Sequence, residues 1–104
     1  MPFDSLPRAA HRSPTAILLQ VRDAIAAPNS WCQGALHDPV SGRRCLLGWL
    51  KHFGGQTTAA DVALVALADA IGGNRHIPEF NDRKGTHKVH VLQVIDHAIA
   101  ISSR

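Results

Sequence analysis

At 104 residues and 45% hydrophobic side chains, the chain has the length of one ordinary domain and enough apolar content for one core. A formal charge of +3 with histidines neutral is too small and too dispersed to argue nucleic-acid binding by itself, and no apolar stretch approaches membrane-spanning length. Met1-Pro2-Phe3-Asp4-Ser5 lacks a basic segment leading into an apolar run, so the chain reads as soluble and cytoplasmic, with Cys32 and Cys45 as free thiols.

Residues 1–12 hold Pro2, Pro7, Arg8, His11 and Arg12 without a sustained period and read as an irregular arm, leaving 13–104 as a single helical domain. Ser13-Pro14 supplies an N-cap and a proline at the first helical position. Ile17, Leu18, Val21, Ala24 and Ile25 then share one face of a helix over 14–27, which Pro28-Asn29-Ser30 ends. Residues 31–43 lose that period and carry Gly34, Asp38-Pro39 and Ser41-Gly42, the marks of a turn-rich connection or short β-hairpin. A second helix over 44–53 presents Leu46, Trp49, Leu50 and Phe53 inward and stops at Gly54-Gly55.

Thr58-x-x-Asp61 resembles a capping box and opens a third helix over 58–72, with Leu64, Leu67, Ala68 and Ile71 as its core stripe and Val62 and Val65 off it. Gly72-Gly73 closes that helix, and a loop through Pro78, Asn81 and Asp82 follows. Gly85-Thr86 caps a last helix over 86–101, whose core arc is Val91, Val94, Ile95, Ala98 and Ile99. The expected fold is therefore mainly α, four helices with one elaborated connection between the first and second.

Chemistry-bearing residues gather at few places. Cys45, placed in the first turn of the second helix beside Arg43 and Arg44, has the positive surroundings that stabilise a thiolate. His76 or His87 as base and Asp82 as orienter would complete a catalytic set, whereas His52 is about two turns from Cys45. The bland reading of Cys45 is a small buried apolar residue. Gly48 in mid-helix implies a close approach of backbone or ligand. Arg83-Lys84-Gly85-Thr86-His87-Lys88 sets cations around a helix start, suited to an anion or a nucleic-acid phosphate if Arg43 and Arg44 join them, although such clusters are commonly solvated turns. His90 and His97 fall near one line of the last helix, but no carboxylate stands at ligand spacing and no paired Cys/His zinc pattern exists, so no metal or other cofactor is expected.

The order Trp31-x-Gln33-Gly34-Ala35, Cys45-x-x-Gly48 and Phe80-Asn81-Asp82 resembles a family of small bacterial and phage proteins classed as a domain of unknown function. In that family a Gly-Ala pair tends to follow the cysteine, and Gly48-Trp49 departs from it. The resemblance implies that Trp31, Gln33, Gly34, Cys45, Gly48, Asn81 and Asp82 belong together in space. It implies no activity.

Three functions stay open. The leading expectation is a non-enzymatic binding or regulatory module acting through protein contact or self-association, because the nearly all-apolar third helix leaves Val62 and Val65 unpartnered. The alternatives are a small cysteine-dependent hydrolase or transferase, and an anion or nucleic-acid binder at the helix N-termini. For a binding site, Asn81 and Asp82 are expected near Cys45 and Gly48 in one small polar pocket where the starts of the second and last helices converge. Arg43, Arg44, Lys84 and Lys88 would attract an anionic group there, with Trp31, Gln33 and Gly34 as further binding candidates. The bland alternative is that Asn81 and Asp82 only form a turn before Gly85.

Overall fold

Ser13 and Pro14 begin the first helix as their chemistry requires, with the Ser13 hydroxyl accepting from the Ala16 amide at 3.0 Å. A computed structural model describes residues 13–72 and 76–103, and the expected arm over 1–12 lies outside them. The described elements are α1 (Pro14–Ala26), α2 (Leu46–Gly54), α3 (Thr58–Ile71), α4 (Ile77–Asp82) and α5 (Lys88–Ser102).

α1 lies against α2, α3 and α5, and α3 packs along α5. Ile17, Leu18, Val21 and Ile25 of α1 are buried among Leu46 and Leu50 of α2, Leu67 of α3 and Val91 and Ile95 of α5. Each such aliphatic side chain contributes about 1.5 to 3 kcal/mol on burial. At its edges the bundle is tied by Thr15 Oγ1 against Ser102 Oγ at 2.8 Å and by the Arg22–Asp96 ion pair.

Four sequence expectations need correction. The segment expected as a loop around Pro78 is the helix α4, begun by a proline in its first turn, and Asn81 and Asp82 are its last two residues. α2 begins at Leu46, so Cys45 is its N-cap, not a residue of its first turn. α3 is capped by Thr57, whose hydroxyl accepts from the Ala60 amide at 3.1 Å, and α5 by His87, not by the Gly85-Thr86 pair.

The fourth concerns which side of α3 faces inward. Ala60, Ala63, Ala66 and Leu67 are buried, whereas Leu64, assigned to the core stripe, is 38% exposed. Small residues are what close packing selects here. A Cβ placed on Gly54 would lie 2.7 Å from the Ala60 Cβ, so α2 and α3 meet where only minimal side chains fit. Val62 and Val65 lie off the core as expected, 47% and 55% exposed.

The α1–α2 connection is turn-rich, and its described β content is limited to isolated bridges of Arg44 with Trp31 and with His37. A turn at Asp38–Gly42 reverses it, closed by the Gly42 amide on the Asp38 carbonyl at 2.8 Å, with Gly42 at φ 80°.

Candidate functional site

The connection is held against α2 and α4 by one buried side chain. Asn81 is fully buried, and its amide group engages partners from three separate segments. Its Oδ1 accepts from the Trp31 indole Nε1–H at 2.7 Å and from the Leu46 amide at 3.0 Å. Its Nδ2 donates to the Cys32 carbonyl at 3.1 Å and to Asp82 Oδ1 at 2.8 Å. Four bonds use the full capacity of a primary amide, two accepted and two donated. The Leu46 amide belongs to the first helical residue, a donor that no intrahelical carbonyl can reach, so Asn81 also caps α2 from outside.

The remaining motif residues extend this lock. Asp82 Oδ1 accepts from the Gly34 amide at 2.9 Å, and Gly34 sits at φ 85°, where a side chain would be strained. Gln33 Nε2 points to three carbonyls, of Asn81 at 2.8 Å, Arg83 at 3.2 Å and Thr86 at 3.3 Å. Gly48 is required because a Cβ there would stand 2.0 Å from the Leu36 carbonyl oxygen. The close approach implied by a mid-helix glycine is therefore backbone against helix. Trp49 donates from Nε1 to the Ser30 carbonyl at 3.0 Å, stacks on Phe53 and carries the Arg44 guanidinium 5.5 Å from its ring centre.

Cys45 and Asp82 line the same recess of about 260 Å³, together with Gly34, Ala35, Leu36, Leu47 and Pro78. The Cys45 residue is only 4% exposed, and its Sγ accepts from the Gly48 amide at 3.4 Å, a bond that caps the helix. His76 and His87 are the N-caps of α4 and α5 and do not line this recess. Burial raises the Cys32 thiol above its ordinary range, and the adjacent Cys45 and Asp38 push it the same way.

The cations expected at the paired helix starts are deployed apart. Arg44 lies over Trp49, Arg43 reaches Asn29 Oδ1 at 3.5 Å, and Lys88 Nζ donates to the Ala27 carbonyl at the end of α1 at 2.8 Å. Lys84 lines a different cleft with Arg83, His90 and His97. The sequence order groups Arg83 and Lys84 with Lys88 and raises His90 and His97 only as metal candidates. The spacing of His90, Gln93 and His97 along one helix stripe was the available signal for that second cleft. Among the described residues no group of three His, Cys, Asp or Glu is placed to hold a metal ion, and no helix is long and apolar enough to cross a membrane.

Seven residues named by the sequence pattern thus converge: Trp31, Gln33, Asp82 and Gly34 through bonds around Asn81, and Cys45 and Gly48 through the start of α2 that Asn81 caps. Their polar groups are largely spent on one another and on the backbone. No curated protein and no solved structure matches the chain. A family model does match residues 9–101, and the chain belongs to that family, DUF6197, a family of unknown function.

Proposed function

We propose that this chain is a non-enzymatic binding or regulatory module of bacterial or phage origin that works in the cytoplasm through protein contact. The observation that carries the reading is the outer face of α3, where Val62 and Val65 are about half exposed. On another flank of the same helix, Leu64 borders a cleft of about 490 Å³ shared with Leu50, Lys51 and Asp61. Exposed apolar side chains on one helix, together with a cleft rimmed by polar residues on that helix, are what a partner helix or a second copy requires. The engagement of Asn81 inside the fold supports the same reading, since its buried amide has all four hydrogen-bonding places filled and none left for a substrate. Two free thiols fit a reducing compartment.

Sedimentation velocity across a wide concentration range, with a pull-down in parallel, tests this on the wild type and on V62D/V65D. Both positions are exposed, so the variant retains its helical circular dichroism. Self-association or capture of a defined partner that the variant loses supports the proposal; a strict monomer whose captured proteins do not differ from the variant's overturns it.

The recess shared by Cys45 and Asp82 supports a second reading, a cysteine-dependent hydrolase or transferase with His76 or His87 brought in as base. Alkylation of Cys45 by iodoacetamide faster than a model thiol near neutral pH supports it, because the thiolate is the reactive species. A rate no faster than the model thiol's rules it out.

A further inference from the structure

α5 carries three side chains able to donate hydrogen bonds, His90, Gln93 and His97, on one stripe of its surface, and this stripe forms a wall of a cleft of about 500 Å³. The α4–α5 loop contributes Arg83 and Lys84 to the same cleft. We propose that this cleft binds a small phosphomonoester, independently of the protein contact assigned to α3.

The charge balance supports the assignment. Among the described residues no carboxylate lines the cleft. Asp96, the acidic residue of α5, is paired with Arg22 of α1, and Asp82 is directed at the Gly34 amide. Lys88, a further cation near the start of α5, is held by the Ala27 carbonyl. Arg83 and Lys84 therefore line the cleft without an acidic counterpart among its described lining residues.

Hydrogen bonding points the same way. His90 Nδ1 accepts from the His87 amide at 2.9 Å, which leaves the ring proton on Nε2 as a donor. A guanidinium, an ammonium, an imidazole N–H and a carboxamide form a donor set that suits a tetrahedral oxyanion with several acceptor oxygens. The size and remaining lining favour a phosphate that carries a carbon body over the free ion. The volume lies within the range of small-molecule sites, and Ala70, Phe80 and Val94 give an apolar floor on which a ring or chain can rest.

The test is a titration of the full chain followed by amide NMR, using AMP, inorganic phosphate, adenosine and a mixed-sequence single-stranded RNA as probes. AMP is expected to saturate, with shifts centred on Gly85, Thr86, His90, Gln93 and His97; phosphate should shift the same amides more weakly, and adenosine should leave them near their free positions. The R83A/K84A variant alters two exposed side chains and is expected to weaken AMP binding by about tenfold or more, through loss of two charge-assisted contacts. K51A, on the other cleft, should change it by less than about twofold. No saturation with AMP or phosphate up to about 20 mM, well beyond a weak small-ligand dissociation constant, overturns the proposal. So does AMP binding that is unchanged in R83A/K84A. RNA binding that is far tighter than AMP and collapses steeply with salt also overturns it, by showing a polyanion surface in place of a small-ligand site.

Discussion

Replacing Gly48 with alanine sets two effects of opposite sign against each other. In an exposed helix interior, glycine to alanine stabilises by about 1 kcal/mol. Here the new Cβ would lie 2.0 Å from the Leu36 carbonyl oxygen, 3.0 Å from its carbon and 3.2 Å from the Arg44 Cβ, and the first two are backbone atoms that cannot rotate away. Restoring an acceptable contact requires the Leu36 segment and α2 to part by about 1 Å or more, in an interior packed as densely as an organic crystal. That segment is tethered by the Cys45 amide on the Leu36 carbonyl at 3.4 Å and by the His37–Arg44 bridge. Overpacking of this kind costs about 1 to 3 kcal/mol, and losing one tethering hydrogen bond adds about 0.5 to 1.5 kcal/mol. After subtracting the propensity gain, G48A should destabilise by about 2 kcal/mol and lower the Tm by about 8 to 16 °C. Urea unfolding followed by circular dichroism gives the number. A stabilised G48A would refute the close approach of the connection to α2.

Two further outcomes concern titration. Hydrogen bonds from the Ser41 hydroxyl at 2.9 Å and the Val40 amide at 3.0 Å hold the Asp38 carboxyl below its ordinary range. The stabilisation this gives the turn is present above the unfolded carboxyl value of about 4 and is lost as pH falls through the lower folded value. Carbon-13 NMR titration should show S41A moving the Asp38 carboxyl back up, and an unchanged midpoint would contradict the assignment. For Cys32, the raised thiol range set mainly by burial means alkylation near pH 7.5 slower than that of a model thiol, and a rate equal to or above the model's would count against it.

The long helices were legible because their apolar periods and caps agree: Ser13-Pro14 starts α1, and Gly54-Gly55 ends α2. α4 was not, because six residues cannot display a period and Pro78 in its first turn resembles a loop signal. The stripe of α3 was misplaced toward Leu64 because periodicity ranks large apolar residues above alanine, whereas the tight meeting with α2 selects Ala60. Grouping Trp31, Gln33, Gly34, Cys45, Gly48, Asn81 and Asp82 anticipated their proximity. What the pattern did not carry is direction. Asn81 is the hub because a primary amide can accept twice and donate twice at once, and only the folded positions of Trp31, Leu46, Cys32 and Asp82 reveal that all four places are filled.

The claim that these motif residues serve mainly to lock the connection to α2 and α4 rests on Asn81, and the Leu46 amide reports it directly. As the first helical residue of α2, Leu46 has no intrahelical acceptor, so without Asn81 its amide would exchange with solvent almost freely. Native-state hydrogen exchange of the full chain should show this amide protected by roughly a thousandfold or more, with N81A losing most of that protection and about 3 kcal/mol or more of stability through buried groups left unpaired. A Leu46 amide that exchanges at near its free rate in the wild type, or one whose protection N81A leaves unchanged, would contradict the lock.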